Sequence, residues 1–188
     1  MEPTGRDFLD KIRSATTEMD EKTDALLAFS RVTRSTLRYE PLDLSQMAET
    51  VIERLRSAEP ERNVACMIAP GLSVSADKVL MQTLLENLLG NAWKYSSKTP
   101  NPKIEFGAHQ EQDGQLVYFV RDNGAGFDMR YAEKLFGAFQ RLHRSDEFQG
   151  HGIGLATVKK IIDHHGGRIW AEAEVDKGAT FYFTLPSI

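Results

Sequence analysis

A stretch at residues 86–95 carries amide and ammonium side chains at a spacing that could hold a charged ligand. On a helix, at about 100° per residue, Asn87, Asn91 and Lys94 fall within about 60° of one another. A carboxamide oxygen can ligate a hard cation such as Mg²⁺, and an ammonium group attracts phosphate. Leucines occupy the opposite face, so an amphipathic helix with a solvated polar face accounts for the same pattern. Both interpretations stay open on this stretch alone.

A carboxylate followed by glycines forms the second candidate site. Asp122 comes soon after the apolar residues 116–120, and Gly124 and Gly126 follow it. A carboxylate at a strand end can accept a hydrogen bond from an exocyclic amino group such as that of adenine. Glycine lets the backbone approach a ligand closely or adopt positive φ. An ordinary Asn-Gly turn is the alternative, because this pair is common in turns.

Three glycines at alternate positions, Gly150, Gly152 and Gly154, come before Leu155 at the start of a predicted helix. The first turn of a helix offers free N–H groups and the positive end of the helix dipole, which suit a phosphate. The stretch lacks the Lys-Ser/Thr pair of a P-loop, and no strand precedes it as in the dinucleotide fingerprint. Taken alone, it is weak evidence for a phosphate site.

The elements that must position these residues are a mixture of helices and strands. Residues 8–38 contain neither Pro nor Gly and carry an apolar stripe, which predicts a long helix that needs a partner. Asp43 or Ser45 can cap a second helix to about residue 58, and Asp77 a third to about residue 97. The other predicted elements are strands 63–69, 72–75, 103–109, 116–121, 168–174 and 179–185, helices 131–135 and 152–165, and a polar loop, 141–149. Because strands and helices do not alternate regularly, we expect an α+β fold with helices on one face of a sheet.

The composition of the chain limits the class of protein, the partners and the cellular compartment to be considered. The chain has 188 residues, of which 41% are hydrophobic and 27% charged, as in an ordinary globular domain. Its formal net charge of −4 argues against nucleic acid as a partner. A single cysteine, Cys66, excludes an internal disulfide and is compatible with a reducing compartment. Without an apolar run long enough for a membrane helix or a signal peptide, we expect a cytoplasmic domain.

Together and in this order, the three motifs resemble those of sensor histidine kinases of the GHKL ATPase superfamily. Residues 86–95 are similar to the asparagine box of that family, 122–127 and 150–155 to its two glycine boxes, and 136–141 to its phenylalanine box. The amino-acid sequence at residues 139–143 most resembles that of the phytochrome-type kinases. The resemblance implies a two-layer α/β sandwich of the GHKL (Bergerat) ATP-binding type, preceded by a long N-terminal helix. Residues 41–188 would be the ATP-binding domain.

The resemblance also implies a role for each candidate site residue. Asn91 would ligate Mg²⁺ with Asn87 beside it, and Lys94 and Tyr95 would face the phosphates of ATP. Asp122 would bind the adenine amino group, in a pocket shaped by Gly124 and Gly126. The phosphates would meet the backbone of Gly152, Gly154 and Leu155, while residues 141–149 would form a lid from which Arg144 reaches the γ-phosphate.

The histidine that accepts phosphate in this family is not recognisable in the sequence. The family's acceptor is usually followed by Glu or Asp, whereas the five histidines here are followed by Gln, Arg, Gly, His and Gly. Residues 1–40 resemble the second helix of the dimerisation hairpin, which lacks that acceptor. We therefore expect a kinase that needs an upstream phosphoacceptor helix and sensor module and is inactive in autophosphorylation alone. Its other partners would be a response regulator receiver domain and, in the full-length protein, a second copy as a homodimer.

Two alternative functions remain. Gyrase- or chaperone-type ATPases of the same superfamily use a glutamate four residues before the metal-binding asparagine to activate water. Asn87 occupies that position here, which disfavours hydrolysis, although Glu86 is adjacent. The other alternative is a nucleotide-binding interaction module without chemistry.

Overall fold

The computed structural model describes residues 36–111, 114–140, 142, 147–148, 150 and 152–186, and single residues among the first 35 (5, 8, 9, 12, 13, 16, 19, 23, 26 and 32). Those single residues are all helical, in agreement with the helix predicted there. The prediction extends the helix too far, because residues 36–38 have no regular secondary structure and strand β1 (Tyr39–Asp43) follows. The cause is a long-range contact: the N–H of Arg38 donates to Asp77 Oδ2 (3.0 Å), at the end of β3 (Ser73–Asp77), with which β1 pairs.

Five strands form the main sheet. They are β2 (Ala65–Ile68), β4 (Lys103–Gln110), β5 (Leu116–Asp122), β6 (Ile169–Glu174) and β7 (Gly178–Thr184). Their order is β2-β4-β5-β7-β6, in which β2 and β4 are parallel and the other neighbours are antiparallel. Strands β4 and β5 pair with each other, as do β6 and β7, and all four lie where the sequence predicts strands. Strands β2 and β3 flank Pro70 and Gly71 but belong to different sheets, since β3 pairs with β1.

Among the described residues from 36 onward, three α-helices and one 3-10 helix complete the fold. They are α1 (Leu44–Ala58), α2 (Lys78–Tyr95), the 3-10 helix Met129–Lys134 and α3 (Gly154–His164). The carboxylate of Asp43 caps α1 by accepting from the N–H of Gln46 at 3.0 Å. Asp77 caps α2 in the same way from Val79 and Leu80, at 3.1 and 3.2 Å. Both caps place the start of a helix where the sequence predicts it.

The core lies between the helices and one face of the main sheet. The apolar face of α2 is fully buried at Leu84, Leu85, Leu88 and Leu89. It packs against sheet residues such as Phe106 and against α3. Because burying each such side chain contributes about 1.5–3 kcal/mol, this packing fixes the rotation of α2 about its axis. The asparagines and the lysine of α2 are thereby turned toward α3.

The architecture confirms the predicted α+β fold, with helices layered on a mixed sheet. Aromatic side chains lie on strands of this sheet, among them Trp170 and Tyr182, whose rings stack with centroids 5.3 Å apart.

Among the described residues, no helical segment combines the length and the apolar character that a bilayer crossing requires.

Candidate nucleotide-binding site

A cavity of about 340 Å³ opens between α2, α3 and the ends of β5 and β7. Nine of the predicted site residues line it: Asn87, Asn91, Lys94, Tyr95, Asp122, Gly126, Gly152, Gly154 and Leu155. Gly124 does not line the cavity, and Arg144 lies outside the described residues. The three motifs, which are far apart in sequence, therefore meet around a single cavity.

The carboxylate of Asp122 lies in the wall of the cavity at the end of β5. Its side chain is buried, and its Oδ1 accepts a hydrogen bond from the N–H of Gly124 at 2.8 Å. Burial raises the pKa of Asp122 to about 6, although hydrogen bonds from the backbone of Gly124 and Ala179 oppose the shift. Phe127 and Phe181 supply apolar surface nearby. A buried acceptor among apolar side chains suits a flat heterocycle that carries an amino group.

The glycines after Asp122 allow two close backbone contacts. A Cβ at Gly124 would overlap the carbonyl of Tyr95, and the N–H of Ala125 donates to that carbonyl at 3.1 Å. Gly126 has φ +58°, and a Cβ there would collide with the carbonyl of Glu174. Gly124 thus shapes the site from behind, by holding the turn against the end of α2, whereas Gly126 lines the cavity itself.

The C-terminal half of α2 directs Asn91 and Lys94 into the cavity. Within the described part of the chain, the Asn91 carboxamide has no hydrogen-bond partner and Lys94 no carboxylate partner. The Lys94 Nζ lies 4.2 Å from the centroid of the Tyr95 ring. A Cβ at Gly150 would lie 3.1 Å from that Nζ, so the ammonium group faces the glycine-rich stretch. An amide oxygen and a cation are therefore available to a ligand.

The start of α3 supplies the opposite wall. The residue before it, Ile153, makes no side-chain capping hydrogen bond, and Gly152 has φ +71°. Gly152, Ile153, Gly154 and Leu155 line the cavity. Since the first N–H groups of a helix have no intrahelical partner, this uncapped terminus presents donors and the positive end of a dipole. Such an arrangement binds anions.

Asn87 lies in the cavity wall but is oriented differently from Asn91. Its Nδ2 donates to the carbonyl of Thr83 at 2.8 Å, within the same helix. Its Oδ1 faces Gly154, where an added Cβ would collide with it. The ligand role that the resemblance implies for Asn87 stays a prediction.

The remaining residues of the cavity were given no individual role by the sequence analysis, although Phe127, Gly150 and Ile153 lie within the two predicted glycine boxes. The remaining residues are Thr83, Phe127, Leu135, Gln140, Leu142, Gly150, Ile153, Thr157, Ala179 and Phe181. Helical spacing could have found Thr83 and Thr157, which lie near the motifs on α2 and α3. Ala179 and Phe181 reach the cavity because β7 pairs with β5, with Ala179 opposite Asp122. No local sequence pattern reports that pairing.

A divalent cation in this cavity would rely on few protein ligands. Among the described residues, no group of three or more His, Cys, Asp or Glu could hold a metal. Mg²⁺ prefers oxygen ligands, keeps several waters and is often held by one or two protein groups together with substrate phosphates. The free carboxamide of Asn91 fits that pattern, provided that phosphates supply the remaining ligands.

Fold and cavity together define an ATP-binding domain of two layers, with the site between two helices and the sheet. The family described as histidine kinase-, DNA gyrase B- and HSP90-like ATPase matches residues 76–188, and the chain belongs to that family. This confirms the resemblance to the GHKL superfamily.

Two curated relatives cover most of this chain. Cyanobacterial phytochrome A of Nostoc sp. is 37% identical over 168 residues, which are 89% of this chain and 22% of the relative. The methanogenesis regulatory histidine kinase FilI of Methanothrix harundinacea is 39% identical over 180 residues, 94% of this chain and 20% of the relative. The chain therefore spans about a fifth of the length of these two proteins.

Solved structures of one kinase resemble the fold. The catalytic domain of histidine kinase ThkA matches with a TM-score of 0.66 at 26% identity, over 80% of this chain and 96% of that domain. ThkA in complex with response regulator protein TrrA matches with a TM-score of 0.73, over 100% of this chain and 53% of that one. At 22% identity, the second likeness concerns the fold alone.

Proposed function

We propose that this domain binds ATP with Mg²⁺ and donates the γ-phosphate to a histidine on a separate helix, as part of two-component signal transduction. One observation carries the proposal: Asn91, Lys94, Asp122 and the uncapped start of α3 surround the same cavity. FilI and ThkA are both named histidine kinases, and ThkA has been solved with a response regulator protein.

ATP would lie across the cavity with its adenine amino group on Asp122. Its phosphates would extend toward Lys94 and the backbone of Gly152, Gly154 and Leu155, with Tyr95 beside them. Asn91 would hold Mg²⁺, which neutralises charge on the phosphates when bound. An acceptor imidazole nitrogen would bond to the γ-phosphorus as the bond to the bridging oxygen breaks and ADP leaves. The protein's part in such a transfer is positioning and charge neutralisation.

Hydrolysis of ATP by water is the less favoured chemistry. The position of the catalytic glutamate in related ATPases is occupied here by Asn87. The neighbouring Glu86 is engaged away from the cavity: it forms an ion pair with Arg54 of α1 (2.9 Å) and accepts from Gln82 (3.0 Å). Glu86 does not line the cavity, which argues against its acting as a general base.

Three partners follow from phosphoryl transfer of this kind. The first is a phosphoacceptor helix with its sensor module, and the second a response regulator receiver domain. The third is a second copy of the chain, because the described helical residues among the first 35 include Phe8, Ile12 and Met19, whose apolar side chains are exposed. Since ATP is the phosphate donor, we place the domain in the cytoplasm. We also propose that residues 1–40 form the second helix of a dimerisation hairpin and that residues 41–188 form the ATP-binding domain.

Calorimetry with a non-hydrolysable ATP analogue, with and without Mg²⁺, tests binding. We expect one site whose affinity rises with Mg²⁺, and loss of that rise in Asn91→Ala. Radiolabelled ATP then tests transfer, on this chain alone and after addition of an acceptor hairpin from a related kinase. Acid-labile label on the hairpin supports the histidine kinase function. Release of phosphate without labelling supports the ATPase, and binding without either reaction supports the interaction module.

A further inference from the structure

The side chain of Asn87 connects the two helices that form the cavity. It projects from the middle of α2, and its Oδ1 faces Gly154, the first residue of α3. A Cβ built at Gly154 would collide with this oxygen and lie 3.5 Å from Cγ of the same side chain. No other heavy atom of the described residues outside the local helix lies within 4 Å of that Cβ. The room for a side chain at position 154 is therefore limited by Asn87.

The orientation of the Asn87 amide is fixed by its other end. Nδ2 donates to the carbonyl of Thr83 at 2.8 Å, which leaves Oδ1 on the side of α3. Reversing the amide would place Oδ1 against a carbonyl and lose a hydrogen bond worth about 1 kcal/mol. In the observed orientation the oxygen lies beside the positive end of the α3 dipole, which is favourable.

We propose that Asn87 is a positioning residue, which sets the separation between α2 and the start of α3, and that residue 154 is glycine to admit its oxygen. The proposal rests on the function proposed above, because that separation matters when phosphates occupy the space between Lys94 and α3. Hydrogen bonds from backbone N–H groups weaken steeply with distance and angle. A displacement of α3 by part of an ångström would thus weaken phosphate binding, although every protein group that contacts the phosphate would still be present.

The contact can be tested by opposing substitutions. Gly154 is not among the glycines with positive φ, so alanine is compatible with its backbone and only the contact with Asn87 opposes it. We expect Gly154→Ala to weaken binding of the magnesium complex of a non-hydrolysable ATP analogue at least tenfold. Adding Asn87→Ala should restore most of that loss. Gly90→Ala is the matched control, because Gly90 also lies on α2 and an added Cβ there meets nothing within 4 Å.

A ligand role for Asn87 predicts different results. If Asn87 held the cation, Asn87→Ala alone would abolish the increase of affinity with Mg²⁺, as expected for Asn91→Ala. A positioning role predicts that Asn87→Ala lowers affinity by the same factor with and without Mg²⁺. Loss of the Mg²⁺ increment in Asn87→Ala, or a double variant weaker than Gly154→Ala, overturns the proposal.

Thermal unfolding keeps the test independent of nucleotide. Gly154→Ala should lower the melting temperature, and Asn87→Ala in the same chain should raise it again. This comparison remains valid if Gly154→Ala binds nothing because it is unfolded. If the wild-type chain itself failed to bind the analogue, the proposed function would fail, whereas the melting temperatures would still decide whether the two residues oppose each other. Additive losses in melting temperature would overturn the contact.

Discussion

The imidazole Nε2 of His165 accepts a hydrogen bond from the backbone N–H of Asp77, at 3.2 Å. His165 is the C-cap residue of α3 and Asp77 the N-cap residue of α2, so this bond joins the ends of the two helices that are remote from the Lys94 and Gly152 end of the cavity. The other ring nitrogen of His165 bonds the carbonyl of Ile161 at 2.8 Å, which requires a proton on Nδ1 and leaves Nε2 as the acceptor. His165 is thus held as the neutral tautomer.

Protonation of His165 should destabilise the fold. Burial is the main cause that lowers the pKa of His165 from its ordinary value of 6.5. Between the folded pKa and 6.5, the unfolded chain binds more protons, so this group adds stability as pH rises through that window and removes it as pH falls. Urea unfolding at several pH values should show this slope in wild type and a smaller one in His165→Gln. His109→Gln, at an exposed histidine, is the control; equal slopes in all three proteins would contradict the prediction.

Asp122→Asn should increase the stability of the domain without nucleotide and weaken its binding of nucleotide. The folded pKa of about 6 lies above the ordinary 3.8, so the ionised carboxylate opposes folding above that range. The sign follows: between pH 3.8 and about 6 the folded state binds more protons, and stability falls as pH rises. At about 1.4 kcal/mol per pKa unit, the amide should gain about 2–3 kcal/mol at pH 8 and nothing below pH ~4.

Two measurements check this trade between stability and binding. Chemical unfolding at pH 8 and pH 4 gives the stability difference, and titration with ATP at pH 8 should show at least tenfold weaker binding. A variant that binds ATP as tightly as wild type would place the adenine elsewhere.

Gly126→Ala should lower the free energy of unfolding of the domain by more than the positive φ at this position alone would explain. Both Gly126 and Gly71 have positive φ, +58° and +73°, which costs an alanine about 1–2 kcal/mol. An added Cβ at Gly71 meets nothing within 4 Å, whereas at Gly126 it collides with the carbonyl of Glu174. Urea unfolding should therefore give a loss for Gly71→Ala within that range and a loss above about 3 kcal/mol for Gly126→Ala. Equal losses would mean that the turn moves aside.

Lys94→Met should weaken binding of ATP but not of adenosine. The Lys94 ammonium faces the glycine-rich stretch and has no carboxylate partner among the described residues, so its charge is available to phosphate. Competition titrations should show about tenfold weaker binding of the triphosphate and a smaller dependence on salt. Lys159→Met is the matched control, since that lysine pairs with Asp163 on the outer side of α3 (3.1 Å). Parallel losses for ATP and adenosine would indicate a change in shape, not in charge.

The sequence predicts the parts of the site that depend on local patterns. The caps Asp43 and Asp77, the buried leucine face of α2 and the position of Asp122 at a strand end follow from residue type and spacing, and the structure agrees. Strand β1 was missed because it is short, contains Pro41 and is defined by pairing with β3. Cavity residues on β7 were missed for the same reason, because strand pairing across many residues leaves no local signal.

The contact between Asn87 and Gly154 illustrates a different limit. The spacing on α2 correctly groups Asn87 with Asn91 on one helical face, and both line the cavity. Their environments differ, however, because the Thr83 carbonyl and the start of α3 engage Asn87 and not Asn91. Helical periodicity specifies the face on which a side chain lies, but not the orientation of its amide.

The pairing of β5 with β7 also bears on how the chain folds. Asp122 lies opposite Ala179, 57 positions later in the chain (179 − 122), on the last described strand. Such non-local pairs slow folding because a long loop must close before they form. One wall of the cavity is absent until β7 docks, so ATP has no complete site on a nascent or partly folded chain. Nucleotide should consequently slow unfolding and leave the refolding rate nearly unchanged, which protects the finished domain without speeding its formation.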